Sequence, residues 1–396
     1  MAISISYSYK INAKFVLNGK EETILEEGIN GVVTNYDYDK NNIPIIFMNV
    51  NLETSLYNKM VLNESKGGTI TLTIMKAKNG TNNPVYTNYI KDSFTYMMPT
   101  NPDYDTSIEK AAGTDDKVGA SYKSGTISLI QISTTNNNKK MINGIIKNSN
   151  MASIIHKYTS HMKMIMEPLH TDKNFDFLII PPLDSIAKLL KYLNQQSTFY
   201  RGGYRYFVDF DKTYLLSAEG NPVAAKDGSY STVIINVNDP TSEAATQTGV
   251  ITDAKSKSYI INVNANNTIT DIKKAEDKIF NKLLGVDSFG KTKELNLDIP
   301  KTKDSSDKLK LERVPSDNME YLSYLKTNIE NSTIILSITK TEVDSTLITP
   351  NKEYIVNNYS SLSEYDGRYV LSYKKEVFTA SNESMFIFGL RKIKNR

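Results

Sequence analysis

Met1-Ala2-Ile3-Ser4-Ile5-Ser6-Tyr7-Ser8-Tyr9 alternates apolar and polar side chains from Ile3 onward. A period of two puts Ile3, Ile5, Tyr7 and Tyr9 on one face of an extended strand. The same opening has neither a basic leader nor a continuous apolar run, so it reads as a strand and not as a signal peptide. The period returns at Phe15 and Leu17, from Ile43 to Val50, and at Ile70, Leu72 and Ile74. Gly67-Gly68 and Asn79-Gly80 interrupt these runs with residues that tolerate positive φ, as tight antiparallel connections require. Half-buried strands joined this way predict a sandwich or barrel over the first hundred residues.

Residues 99–124, rich in Pro, Asp, Thr, Gly and Lys, predict a long exposed loop before a strand from Thr126 to Ile132. The period then changes. Met141, Ile145, Ile146, Ile154 and Ile155 recur at helical spacing and predict one or two helices over 139–158. After strand-like stretches at Met162–Met166 and Phe175–Ile180, Pro181-Pro182 is expected to end the strand. A helix over 183–196 follows, with Leu183, Ile186, Leu190 and Leu193 on one face and Asp184 near the positive end of its dipole. Tyr204 to Phe210 reads as an aromatic strand, continued at Tyr214-Leu215-Leu216. Asp239 to Lys257 has the composition of an exposed linker, followed by a strand at Tyr259–Val263. A helix is expected on Ile272, Ala275, Ile279 and Leu283 with Gly285 as its terminator, and another on Met319, Leu322 and Leu325 or Ile329. Strands are expected at Thr333–Ile338, Tyr354–Val356, Arg368–Tyr373 and Met385–Ile393.

With 396 residues the chain exceeds one ordinary core, and 39% hydrophobic against 23% charged residues is a folding composition. The 47 basic and 44 acidic side chains nearly cancel to +3, which argues against a dedicated nucleic-acid or membrane-surface binder. No cysteine is present, so disulfides, thiolate metal sites and cysteine nucleophiles are excluded together. No stretch approaches the roughly 20 apolar residues of a membrane helix.

Chemistry-bearing motifs are sparse. Gly285-Val286-Asp287-Ser288-Phe289-Gly290-Lys291-Thr292 fits the phosphate-loop pattern letter for letter. That pattern needs a strand before it and a helix after it. Here a helix is expected before Gly285, and Leu295, Leu297 and Pro300 argue against one after Thr292. The match at Gly285, Gly290, Lys291 and Thr292 is therefore read as fortuitous. The three histidines, His156, His161 and His170, lack the spacing of a metal pair on a helix. Asp209 and Asp211 share a strand face but have no third ligand or base in view, and read as solvated or paired with Arg201 or Arg205. No catalytic, cofactor or metal site is assigned.

Two stretches carry a resemblance. Phe177-Leu178-Ile179-Ile180-Pro181-Pro182-Leu183-Asp184-Ser185-Ile186-Ala187-Lys188-Leu189-Leu190-Lys191-Tyr192-Leu193-Asn194, with Phe199 to Phe210 and Tyr214-Leu215-Leu216-Ser217, resembles the baseplate hub proteins of bacteriophage tails. These are relatives of late control protein D and of the spike-base proteins of type VI secretion. Tyr365-Asp366-Gly367-Arg368-Tyr369-Val370-Leu371-Ser372-Tyr373, with the strand Met385–Ile393, resembles the last hairpin of that family's second tube-like domain.

The resemblance implies a β-rich α+β fold with two tail-tube-like antiparallel β-barrel domains, a mixed α/β middle and insertions. The expected division is a first barrel at 1–165, a mixed segment at 166–238, an insertion domain at 239–318 and a second barrel at 319–396 completed by earlier strands. It further implies a homotrimeric ring joining a sixfold tail tube to a threefold central spike, with a lumen for transient DNA passage. The implied neighbours are a tail tube or distal tail protein, the spike, a tape measure protein and baseplate wedge proteins, in a virion made in the host cytoplasm. The alternatives are a peripheral baseplate or host-binding tail protein and, more remotely, a nucleotide-binding enzyme using residues 285–292. The first should show trimeric fibre repeats or a carbohydrate cleft with clustered aromatics, and the sequence has no such repeats.

Overall fold

The computed structural model describes residues 7–24, 28–39, 43–78, 84–99, 103–105, 122–200, 203–209, 212–218, 231–238, 250–253, 255, 257–264, 282–286, 291–296, 309–313, 326, 335–340, 345–358, 365–379 and 384–393. Strands dominate. The first part holds β1 (Tyr7–Leu17), β2 (Lys20–Ile24), β3 (Ile29–Asp37), β4 (Ile45–Glu53), β5 (Thr69–Lys78), β6 (Thr87–Met97), β7 (Asp103–Asp105) and β8 (Tyr122–Gln131). The middle holds β9 (Lys139–Asn150), β10 (Met164–Met166), β11 (Asn174–Ser185), β12 (Tyr204–Asp209) and β13 (Lys212–Ser217). Next come β14 (Thr232–Asn238), β15 (Val250–Asp253), β16 (Ser258–Asn264), β17 (Lys282–Val286), β18 (Thr292–Asn296) and β19 (Leu309–Arg313). The chain closes with β20 (Ile335–Lys340), β21 (Glu353–Asn358), β22 (Gly367–Thr379) and β23 (Ser384–Lys392). The α-helices with both ends among the described residues are α1 (Thr54–Asn63), α2 (Ile132–Asn138), α3 (Met151–Thr159) and α4 (Ile186–Gln196).

The period-two reading of the N-terminal part holds. Strands β2-β1-β5-β6-β8-β4-β3 are consecutive and antiparallel, and their alternate residues face one core. Phe15, Met48, Ile70, Leu72, Ile74, Ile127 and Leu129 are all buried there, with Tyr57 and Met60 of α1. Each such side chain contributes about 1.5–3 kcal/mol by leaving water. The β1–β2 turn is the two-residue Asn18-Gly19, both at positive φ (50° and 76°), a hairpin signal the sequence analysis passed over.

A second core forms toward the C-terminus from Val233, Ile235, Ile261, Tyr354, Val356, Tyr369, Leu371 and Phe388. Its sheet is mixed where an antiparallel one was expected: β14 runs parallel to both β16 and β21. Parallel neighbours need a long connection, and residues 239–257 and 265–352 between these strands supply it.

One strand serves both cores. The 13-residue β22 pairs along one edge with β21 through Gly367–Tyr369 and with β3 through Tyr373–Thr379, while β23 covers its other edge. All these strands belong to a single sheet of fifteen. Among the described residues the hydrogen-bonded path does not return on itself, and it runs out at β2 and β15.

The middle differs most from expectation. Residues 139–150 form a strand and not a helix: β9 pairs with β11 as a two-stranded ribbon. Ile142 and Ile146 point inward, while Met141 and Ile145 are exposed. A spacing of four is compatible with both periods, so the apolar pattern did not discriminate. Pro181-Pro182 does not end the strand either; β11 continues to Ser185 through register shifts between Ile180 and Ser185, where missing N–H groups cost no ladder bond. The helix therefore starts at Ile186, later than the expected 183, with Ser185 as its N-cap accepting from the Lys188 amide. Ile186, Leu189, Leu190 and Leu193 are buried against α3 and the ribbon in a third core.

Leu283 and Gly285 lie in strand β17 and do not end a helix. The expected 99–124 loop contains β7 and the start of β8 at Tyr122. The residues Ile272, Ala275, Ile279, Met319, Leu322, Leu325 and Ile329 lie outside the described residues, as do Arg201 and Asp211 and most of the expected 239–257 linker.

Candidate functional site

The densest chemistry of the described residues is a polar seam where β3, β12, β22 and β23 meet. It begins with a register shift. Between Leu371 and Tyr373 the β22–β23 ladder slips by one residue, and such a bulge flips which side chains face inward. Before it, Tyr369, Val370 and Leu371 are all buried; after it, the buried set is Ser372, Lys374, Glu376 and Phe378. Gly389 sits opposite the bulge, and an added Cβ there would lie 1.9 Å from the Tyr373 ring.

Each inward polar group meets a partner distant in sequence. Asp39 accepts from Ser372 Oγ at 2.5 Å, from Arg391 Nε at 3.0 Å and from Arg391 Nη2 at 3.3 Å. The Asp39 backbone faces solvent, but its side chain is only 20% exposed, and that of Arg391 only 7%. Burial acts to raise the Asp39 carboxyl, yet Arg391, Arg205 and the hydrogen bonds outweigh it and hold it below the usual carboxylate range. Arg205, buried on β12, donates to the Leu371 carbonyl at 2.7 Å. Burial pulls its guanidinium down to about 10, against the pull of Asp39.

Lys374 lies 3.3 Å from Asp209, and its ammonium stands over the Tyr36 ring. Glu376 accepts from Tyr89 Oη at 2.7 and 2.9 Å and from Thr34 at 3.4 Å. Burial first, then Asp209 and Glu376, pushes the Tyr36 phenol well above its ordinary range. The carboxylates are matched by cations or hydroxyls. Such a seam fixes three chain segments against one another, and it presents no paired nucleophile and base.

Asp209 thus pairs with Lys374, not with Arg205 as the sequence suggested. Gly285 lies in β17 and Thr292 opens β18, two strands paired antiparallel with Val286 opposite Thr292. Two antiparallel strands stand where a phosphate loop needs a strand and then a helix, and Leu283, expected on a helix, lies in the strand that starts at Lys282, while the rest of that expected helix lies outside the described residues. Lys291 follows Gly290, which lies outside the described residues. His161 Nε2 lies 3.3 Å from the Asn137 carbonyl, and His170 packs edge-on to Tyr200, with centroids 5.3 Å apart. No group of three or more His, Asp or Glu side chains that could hold a metal occurs among the described residues. The seam itself was missed, because the partners of Lys374 and Glu376 lie far from them in the chain and no local pattern joins them.

The mostly β architecture defines a class. The 43 kDa tail protein of prophage MuSo2 from Shewanella oneidensis superposes with a TM-score of 0.51 over 96% of either chain at 8% identity. A tail protein from Neisseria meningitidis gives 0.48 over 98% of this chain and 97% of that one, at 10% identity. The Francisella PdpA–VgrG complex gives 0.48 over 98% of this chain and 58% of that one, at 12%. The fold is that of a phage tail protein. Residues 2–392 match the family described as Bacteriophage PBS1 gene 109 protein, and the chain belongs to it. No curated protein matches it in sequence.

Proposed function

We propose that this protein is the structural hub of a phage tail baseplate. Three copies form a ring to which each contributes two tube-like β lobes, joining a sixfold tail tube to a threefold central spike around a channel for DNA. The carrying observation is that two β cores, one near each end of a phage-family chain, are welded through the shared strand β22. In this reading the first lobe is built from 1–165, the second from 319–396 with earlier strands, 166–238 is a mixed α/β spacer and 239–318 an insertion. Among the described residues the sheet path ends at β2 and β15, and these edges leave room for neighbours to complete the wall. A groove of about 290 Å³ over β1, β2, β5 and β6 is lined by Asn12, Thr71, Thr73, Met75 and Lys91 and by Lys14 paired with Glu21 at 2.9 Å, so it carries little net charge. Such a face lets a polyanion pass without holding it. The partners are the tube or distal tail protein, the spike, the tape measure and the wedges, and the role is architectural, without catalysis.

Native mass measurement and negative-stain imaging of the isolated protein test this. A trimeric annulus is expected. A strict monomer at every concentration rejects it.

A further inference from the structure

The turn that leads into β21 holds one amine in an uncommon setting. The Ile348 amide donates to the Ser345 carbonyl at 3.1 Å, and the Thr349 carbonyl accepts from the Lys352 amide at 3.3 Å and from the hydroxyl of buried Tyr354 at 2.8 Å. The Glu353 amide donates to the Ser231 carbonyl at 2.9 Å. These bonds fix the backbone from which the half-buried Lys352 projects. Its Nζ donates to the Leu347 carbonyl at 2.7 Å and stands 4.4 Å from the centre of the Tyr259 ring on β16.

Lys14, Lys188, Lys282 and Lys374 each face a carboxylate. Lys352 faces none among the described residues, because the adjacent carboxylate, Glu353, is taken up by Arg368 at 2.5 Å. The ionisable side chains on the described strands beside it are Tyr259 on β16, Glu353 and Tyr354 on β21, and Arg368 and Tyr369 on β22. Burial disfavours the charged amine and pulls Lys352 down to about 8, against the ring face and the carbonyl, which favour the charge. At about pH 7.5 roughly a quarter of such an amine is uncharged, against about one part in a thousand for an ordinary lysine near 10.4. The uncharged amine is the nucleophilic form.

We infer that Lys352 is a site of covalent modification by small activated acyl groups, of the thioester or acyl-phosphate class. The Nζ lone pair attacks the acyl carbon and forms an amide bond. The C–S or C–O bond breaks, the thiolate or phosphate departs with the bonding pair, and the amine gives one proton to water. The product still donates to the Leu347 carbonyl but has no charge for the Tyr259 ring, so acylation loosens β16 from the turn. The inference goes beyond the hub reading and does not depend on it.

The test incubates the full chain with acetyl phosphate, or with the acetyl thioester of N-acetylcysteamine, over a series of pH values. Acetylation of each lysine is followed by peptide mass spectrometry. At neutral pH Lys352 is expected to react at least about ten-fold faster than the exposed Lys20 and Lys147, a margin well inside the ratio of uncharged fractions. Its rate should level off above about pH 8 while theirs climbs further. Labelling by either donor in this pattern supports the inference and names the source. Equal rates, a Lys352 rate that climbs with the others, or labelling by neither donor overturns it. Tyr259→Ala, folded by circular dichroism, admits water to the amine and is expected to move the levelling to higher pH; an unmoved profile rejects the pocket as its cause. In Lys352→Arg the fast-reacting site should vanish, and its persistence also overturns the inference.

Discussion

Replacing Asp39 by Asn keeps the volume and the backbone of the seam and removes one charge. Arg391 and Arg205, 6% exposed each, would then face each other's field with no carboxylate between them. Removing one member of a buried, hydrogen-bonded ion pair costs about 3–5 kcal/mol, most of it the uncompensated partner. The Asn amide can still accept from Ser372, which puts the expected loss nearer about 3 kcal/mol. Domains are stable by only about 5–15 kcal/mol, so the change is readable as a fall in the urea midpoint at constant slope. Arg391→Met in the same background isolates the pair, and the double variant should be more stable than the summed singles by at least about 1 kcal/mol. A loss below about 1 kcal/mol for Asp39→Asn, or strict additivity, would show that the seam does not hold the segments together.

Gly389→Ala places a methyl carbon 1.9 Å from the Tyr373 ring and is expected to destabilise by about 1–3 kcal/mol or more; Tyr373→Ala in the same chain should recover part of the loss in thermal unfolding. Ser185→Ala removes the N-cap of α4 and is expected to cost about 1 kcal/mol, measured by urea unfolding, with no change in oligomeric state. The depressed Asp39 carboxyl contributes stability that is complete above its unfolded value and lost as pH falls through its folded one. Acid titration of Asp39→Asn should therefore give a flatter loss below about pH 4 than the parent chain. Burial raises the phenols of Tyr36, Tyr38 and Tyr354, so their contribution is full below about pH 10 and falls beyond it. Urea midpoints followed into alkali should decline there, less steeply in Tyr38→Phe.

The strands of the first core were legible because one face of each is buried and the other wet, so Ile70, Leu72 and Ile74 announce their side at every second position. The ribbon was not legible because its inward residues, Ile142 and Ile146, are four apart, a spacing that satisfies a helix and a strand equally. Pro181 and Pro182 misled because a proline ends a strand only where its missing N–H was needed, and β11 spends them on a bulge. The seam left no local trace. Ser372, Lys374 and Glu376 are polar in type yet buried, and the partners that make burial tolerable, Asp39, Asp209 and Tyr89, are far away in the chain. A hydropathy pattern reports which side of a strand is apolar; it does not report a polar side buried against partners from another part of the chain.

The placement of β22 dictates an order of events during synthesis. Strands β1 to β8 are all translated by residue 131, yet the free edge of β3 finds its mate only when residues 373–379 leave the ribosome. Throughout that interval the nascent chain displays an unsatisfied row of backbone donors and acceptors, open to any other extended peptide. Truncated products that stop short of β22 should accordingly precipitate and not accumulate as a soluble N-terminal half.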